Sequence, residues 1–152
     1  MSLVKHKTAL KEIFEAEMQA GGLLESKCDG VLLTAFDNLP DTYSKFITLA
    51  DFIIDDVIVG RKTSKFVAIL QTIVCASVIS DNNVGSNAEF QCMDLGLAVR
   101  TILKNNPTLT SVSYPSGVAK ETFVLSSPVE PLIYSDVRCM AMSITVEIRM
   151  EA

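Results

Sequence analysis

The residue types that carry most enzymatic chemistry are few in this chain, and they are scattered. There is one histidine, His6. Any Ser/His/Asp or Cys/His nucleophilic site would have to use it as its base. It stands near the N-terminus between Lys5 and Lys7. Chain ends are usually loosely held, so the sequence predicts an exposed terminal residue. The adjacent acids Asp55 and Asp56 are a conceivable cation site. Neighbours along a strand point to opposite faces, so their carboxylates would not converge, and a solvated strand end is expected. The four cysteines are Cys28, Cys75, Cys92 and Cys139. None are close enough for a CxxC motif and three lie in apolar stretches, so buried free thiols are expected. No phosphate loop, dinucleotide fingerprint or metal-spaced cluster is found. The expectation is a chain with no catalytic, cofactor-binding or metal-ligating residues, and not an enzyme.

Charge and composition narrow the partners. Net charge is −5, with a pI near 4.8, so duplex DNA would be repelled by the general field. The densest basic cluster, Arg61, Lys62 and Lys65 in "GRKTSK", reads as a solvated loop. Three tyrosines, seven phenylalanines and no tryptophan, without a basic stripe around them, make a poor platform for stacking bases. No specific nucleic-acid binding is expected. No run is long and apolar enough for a membrane span. The stretch "MSLVKHKTALKEIF" is charged throughout and lacks a signal core. These features predict a protein made in the cytoplasm with no membrane partner. The chain is 49% hydrophobic and 20% charged, so it folds and is slightly richer than average in apolar residues. That excess goes into a large core or into surface that a partner covers.

The elements that must position these residues follow from periodicity. Leu10, Ile13, Phe14 and Met18 share one helical face, and Gly21-Gly22 supplies a stop. "GVLLTAF" (residues 30–36) reads as a strand ended by the turn "DNLPD". In residues 46–59, Phe46, Leu49, Ala50, Ile53 and Val57 fit a helix face, while "FII" and "VIV" fit strand halves. A short helix or loop running into a strand is expected there. "SKFVAILQTIVCASVIS" (residues 64–80) reads as a long central strand. Ser86 or Asn87 is placed to cap a helix whose buried face is Cys92, Leu95, Val99, Ile102 and Leu103, stopped by "KNNP". Strands are expected in "TLTSVSY", in "AKETFVL" and at "VRCMAMSITVEIRMEA". In the last, Met140, Met142, Ile144, Val146, Ile148 and Met150 alternate with Cys139, Ala141, Ser143, Thr145, Glu147 and Arg149. The methionines read as core packing, or more sharply as an adaptable subunit interface. The sum is one α+β domain over residues 1–152, a mainly antiparallel sheet with helices packed on one face.

This layout resembles that of bacteriophage tail terminator proteins, the tail completion or minor tail U-like family. The likeness lies in a first helix like "TALKEIFEAEMQ", a long strand like "KFVAILQTIVCASV" and a helix like "MDLGLAVRTIL". It extends to a final hairpin like "DVRCMAMSITVEIRMEA". The resemblance covers most of the chain and rests on pattern, not on a diagnostic motif. It implies a virion protein of the tail or neck, assembled in the host cytoplasm. Such a protein forms a homo-oligomeric ring, a hexamer, that caps the tail tube and then joins it to the head. Its partners would be the tail tube protein and a head–tail connector or neck protein. Residues 37–62 are longer than in the shortest members, which admits a related head-completion or neck protein. A small ligand-binding domain or enzyme is the alternative of a different class. The terminal strand is expected to close the sheet. The ring contacts are expected between the strand at residues 65–80 on one side and loops at residues 37–62 and 114–118 on the other.

Overall fold

In the computed structural model, residues 5–59 and 64–151 are described, and the side chains of residues 55–59, 64–66 and 151 are left aside. Helical periodicity is realised twice. The first helix, α1 (Lys5–Glu17), buries Ala9, Leu10, Ile13 and Phe14. The second, α2 (Gly85–Asn105), buries Cys92, Leu95, Val99, Ile102 and Leu103. Neither Ser86 nor Asn87 is the cap of α2. That position is Val84, which makes no side-chain cap bond.

Six strands form one sheet: β1 (Gly30–Leu32), β2 (Lys45–Val59), β3 (Ser64–Val78), β4 (Glu121–Ser126), β5 (Glu130–Tyr134) and β6 (Val137–Glu151). The order is β1-β2-β3-β6-β4, with β5 also on β6. All pairings are antiparallel except β1 with β2. Both helices pack on the same face, against Ile47, Leu49, Ile69, Ile73, Ile144, Val146 and Ile148. Each fully buried aliphatic side chain of this kind contributes roughly 1.5–3 kcal/mol relative to its exposed state. This is the α+β architecture read from the sequence. No helix among the described residues is long and apolar enough to cross a membrane.

Several expectations are corrected. Residues 46–59 belong wholly to β2, with no helix. Pairing with β3 slips between Leu49 and Phe52. An irregularity of this kind shifts the in/out parity of a strand. The helix-like spacing of Phe46, Leu49, Ala50, Ile53 and Val57 is not one face of the strand: Leu49 lies on the helix side, whereas Phe46 and Ile53 lie on the other. The strand predicted over residues 30–36 stops at Leu32, because Asp37 accepts from the Leu33 and Thr34 amides and folds a turn. "TLTSVSY" is a series of turns, with Asn106 accepting from the Thr110 amide and Leu109 at φ 52°. The strand β5 escaped prediction since Pro131 sits inside it. An edge position explains how that proline is tolerated.

The terminal strand does not close the sheet at an edge. It lies between β3 on one side and β4 and β5 on the other. Its two registers divide as expected: Met142, Ile144, Val146, Ile148 and Met150 are buried on the helix side. The other register is buried only in its first half. Cys139 and Ala141 join Leu32, Phe46, Ala76 and Tyr134 in a second cluster, flanked by Leu39 and Tyr43 from the loop after β1. From Ser143 onward that face is uncovered and only half-buried. The run from small to polar to charged residues therefore records where the loop cover ends.

Candidate assembly surfaces

His6 is not an exposed terminal residue. It is fully buried, because it lies on the same helical face as Ala9, Leu10 and Ile13. Its Nε2 donates to Gln71 Oε1 at 2.8 Å, and its ring meets Phe52 edge-on at 5.1 Å. Gln71, itself fully buried on β3, donates in turn to the carbonyls of Thr72, Ala50 and Asp51. Next to it the Lys7 ammonium donates to the Leu33 and Leu49 carbonyls. Desolvation holds the Lys7 pKa below the ordinary value, with Asp37 and Asp51 acting in the opposite direction. The group thus ties α1 to the irregular part of β2. A histidine without solvent access and held by an amide is placed for structure, since a general base must reach its substrate. The lone glutamine inside an apolar strand, and the fit of position 6 to the helix face, were the signals for this pair.

The remaining expected positions divide into three groups. All four cysteines are buried and free. Burial pushes Cys28 and Cys139 up to about 11 and Cys92 up to about 12, and raises Cys75 well above the usual thiol. They are therefore not activated as nucleophiles. Asp55 and Asp56 follow each other on β2, but their side chains lie outside the described ones, as does that of Lys65; Arg61 and Lys62 lie outside the described residues altogether. Among the described residues no three His, Cys, Asp or Glu side chains are grouped to hold a metal ion.

The surface is more informative than any cavity. The strand β3 is hydrogen-bonded on both sides, to β2 and β6. It therefore has no edge to offer a neighbour, and a ring contact at residues 65–80 would have to use its uncovered face. The free edges are those of β2 beyond Asp51, past the carbonyls held by Lys7 and Gln71, and those of β4 and β5. Both edge regions carry large exposed apolar residues, Ile53 and Ile54 on β2, Phe123 and Leu125 on β4. Between them the uncovered face presents Leu70, Thr72, Thr145 and Glu147. Glu147 and Glu121 both pair with Arg149 at 3.0 Å, whose guanidinium lies over the Phe123 ring.

Two further apolar features lie elsewhere. On α2, Phe90, Met93 and Leu97 are exposed along one stripe. Met93 and Leu97 line a groove of about 330 Å³ with Pro128, Val129 and Met142. In the loop after β1, Phe36 is 91% exposed. It sits on a turn fixed by Asp37, by Thr34 Oγ1 and by the Tyr134 hydroxyl, which donates to the Thr34 and Asp37 carbonyls. The loop at residues 114–118 borders a shallow cavity with Lys5, Lys120 and Met150. No protein-family model matches this chain, and no curated protein matches it either.

Proposed function

We propose that this chain is a structural subunit of a phage tail, a homo-oligomeric ring that ends the tail tube and offers the surface to which the head is joined. The observation that carries this reading is exposed apolar surface around an already filled core. Phe36, Phe90, Ile133 and Leu125 are each at least 70% exposed although 23 of the described residues form the main buried cluster. Apolar residues of this size at the sheet edges and along α2 suit surfaces that a partner covers. The element order supports the same reading, with two helices on one face and a long alternating final strand. The contacts between subunits are heterologous, one surface of each copy meeting a different surface of the next, as any cyclic ring requires. The tail tube protein and a connector or neck protein are the further partners. The net charge of −5 suits a ring through which DNA passes without being held.

The test is genetic. Deleting the gene in its phage should give tails of abnormal length, or tails that do not join heads, when particles are imaged. Normal infectious virions from the deletion would eliminate the reading.

A further inference from the structure

We propose that copies of this chain join edge to edge, the outer edge of β2 in one copy pairing antiparallel with β4 of the next. The inference deepens the ring reading and rests on its self-association alone. Four strands run side by side in the order β2-β3-β6-β4, each antiparallel to its neighbour. An even number of alternating strands leaves the two outer ones running in opposite directions. A copy placed beside another in the same orientation therefore sets β2 antiparallel to the neighbouring β4, and the alternation continues across the junction. Two unpaired rows of backbone N–H and C=O groups are satisfied together.

The side chains agree with the backbone. Register places Ile53, Leu70, Glu147 and Phe123 in one cross-strand row. Ile53 and Phe123, with Leu125 two residues on, thus share the uncovered face. Ile54 and Thr122 end the next row on the helix face. Joining the edges brings apolar β2 against apolar β4 with inner and outer faces preserved. The one acid on β4, Glu121, is paired with Arg149 of its own copy.

Area sets the mode of assembly. Ile53, Ile54, Phe123 and Leu125 are 64%, 41%, 49% and 73% exposed. At about 200 Å² for a fully exposed side chain of this size, they offer roughly 450 Å² of apolar surface. A stable isolated pair buries about 1,600 Å² in total. One junction alone is therefore weak. In a closed ring every copy makes two, and the last contact forms intramolecularly at high effective concentration. Monomers and closed rings should dominate, with few open dimers.

Cross-linking of the purified full-length protein tests this. The native thiols are buried, so introduced cysteines are the reactive ones. Two double variants cover the two closest registers, Ile53→Cys with Phe123→Cys, and Ile53→Cys with Leu125→Cys. Mild oxidation of at least one at rising protein concentration should yield a ladder of covalent oligomers ending in a ring. Each single variant should stay uncross-linked. Covalent dimers from Ile53→Cys alone would mean β2 pairs with β2 and would overturn the proposal. So would oligomers seen by light scattering that neither double variant traps, or a chain that stays monomeric up to millimolar concentration. As a second measurement, Leu125→Lys should reduce association at least tenfold with an unchanged melting temperature. Equal association by this variant would also count against the junction. A ladder from a protein whose deletion leaves virions normal would remove the tail reading and keep this pairing. Abnormal tails without a ladder would do the reverse.

Discussion

Replacing Gln71 by leucine keeps most of the side-chain volume and removes its amide. Gln71 Oε1 accepts from His6 Nε2 at 2.8 Å, and its amide nitrogen donates to the Thr72 carbonyl at 2.8 Å and to those of Ala50 and Asp51 at 3.4 Å. Leucine leaves the imidazole N–H without that acceptor in a fully buried place, and the irregular stretch of β2 loses a donor. Each buried group stranded in this way costs about 1–3 kcal/mol. The added apolar burial offsets about 1 kcal/mol. The net loss is then about 1–5 kcal/mol, which for this chain length lowers Tm by roughly 2–20 °C. His6→Leu should cost a similar amount for the mirror-image reason. Removing both partners restores apolar matching between α1 and the sheet, so the double variant should be more stable than the sum of the singles predicts by about 1–2 kcal/mol. Urea and thermal denaturation of the four proteins complete the cycle. Gln71→Leu with wild-type stability, or strictly additive singles, would refute the claim that this pair joins α1 to the sheet.

Ile144, fully buried between the helices and the sheet centre, should not tolerate aspartate. An unpaired charge there costs several kcal/mol, on the order of 3–5, and a soluble, normally melting Ile144→Asp protein would contradict the core assignment. The thiols make stability fall at alkaline pH. Their folded pKa values are raised to about 11–12, whereas in the unfolded chain they ionise near 8.5, each removing up to about 1.4 kcal/mol per pH unit between those limits. Stability should thus be intact below about pH 8 and decline above it, and thiol reagents should titrate all four cysteines only after denaturation. Fast labelling of the native protein at neutral pH would show that the cysteines are not buried. Gly117→Ala should destabilise by roughly 1–3 kcal/mol, because φ is +82° and a Cβ would run into the Thr108 carbonyl; calorimetry showing no change would remove the constraint placed on that loop.

The elements most readable in the sequence were those whose pattern follows one period without interruption. The two helices, the strand β3 and the alternating β6 were all legible, and with them the α+β class. The strand β2 was not, since it carries apolar residues on both faces, and a helix-like spacing can be picked from them although Leu49 lies on one face and Phe46 and Ile53 on the other. The strand β5 carries a proline that argues against strand structure until its edge position is known. His6 misled because its place near the chain start suggested exposure, while its helical phase pointed inward. Which of the long strands lie inside the sheet and which lie at its edges is a matter of tertiary pairing. No residue in β3 announces that both its sides are taken. The exposed apolar edges follow from that pairing and were invisible for the same reason.

The interior position of β6 also sets an order of events in the growing polypeptide. Its neighbours β3 and β4 both precede it in the chain, and it contacts β3 along thirteen paired positions. During synthesis the β2–β3 hairpin emerges first, with one side of β3 unsatisfied until residues 137–151 leave the ribosome. Native pairing on that side of β3 therefore waits for β6. The helix-facing side chains of β3 meanwhile wait with an apolar strand exposed, a state prone to misassembly. Stalled or prematurely ended translation should yield insoluble fragments, where a protein built from consecutive hairpins would leave folded ones.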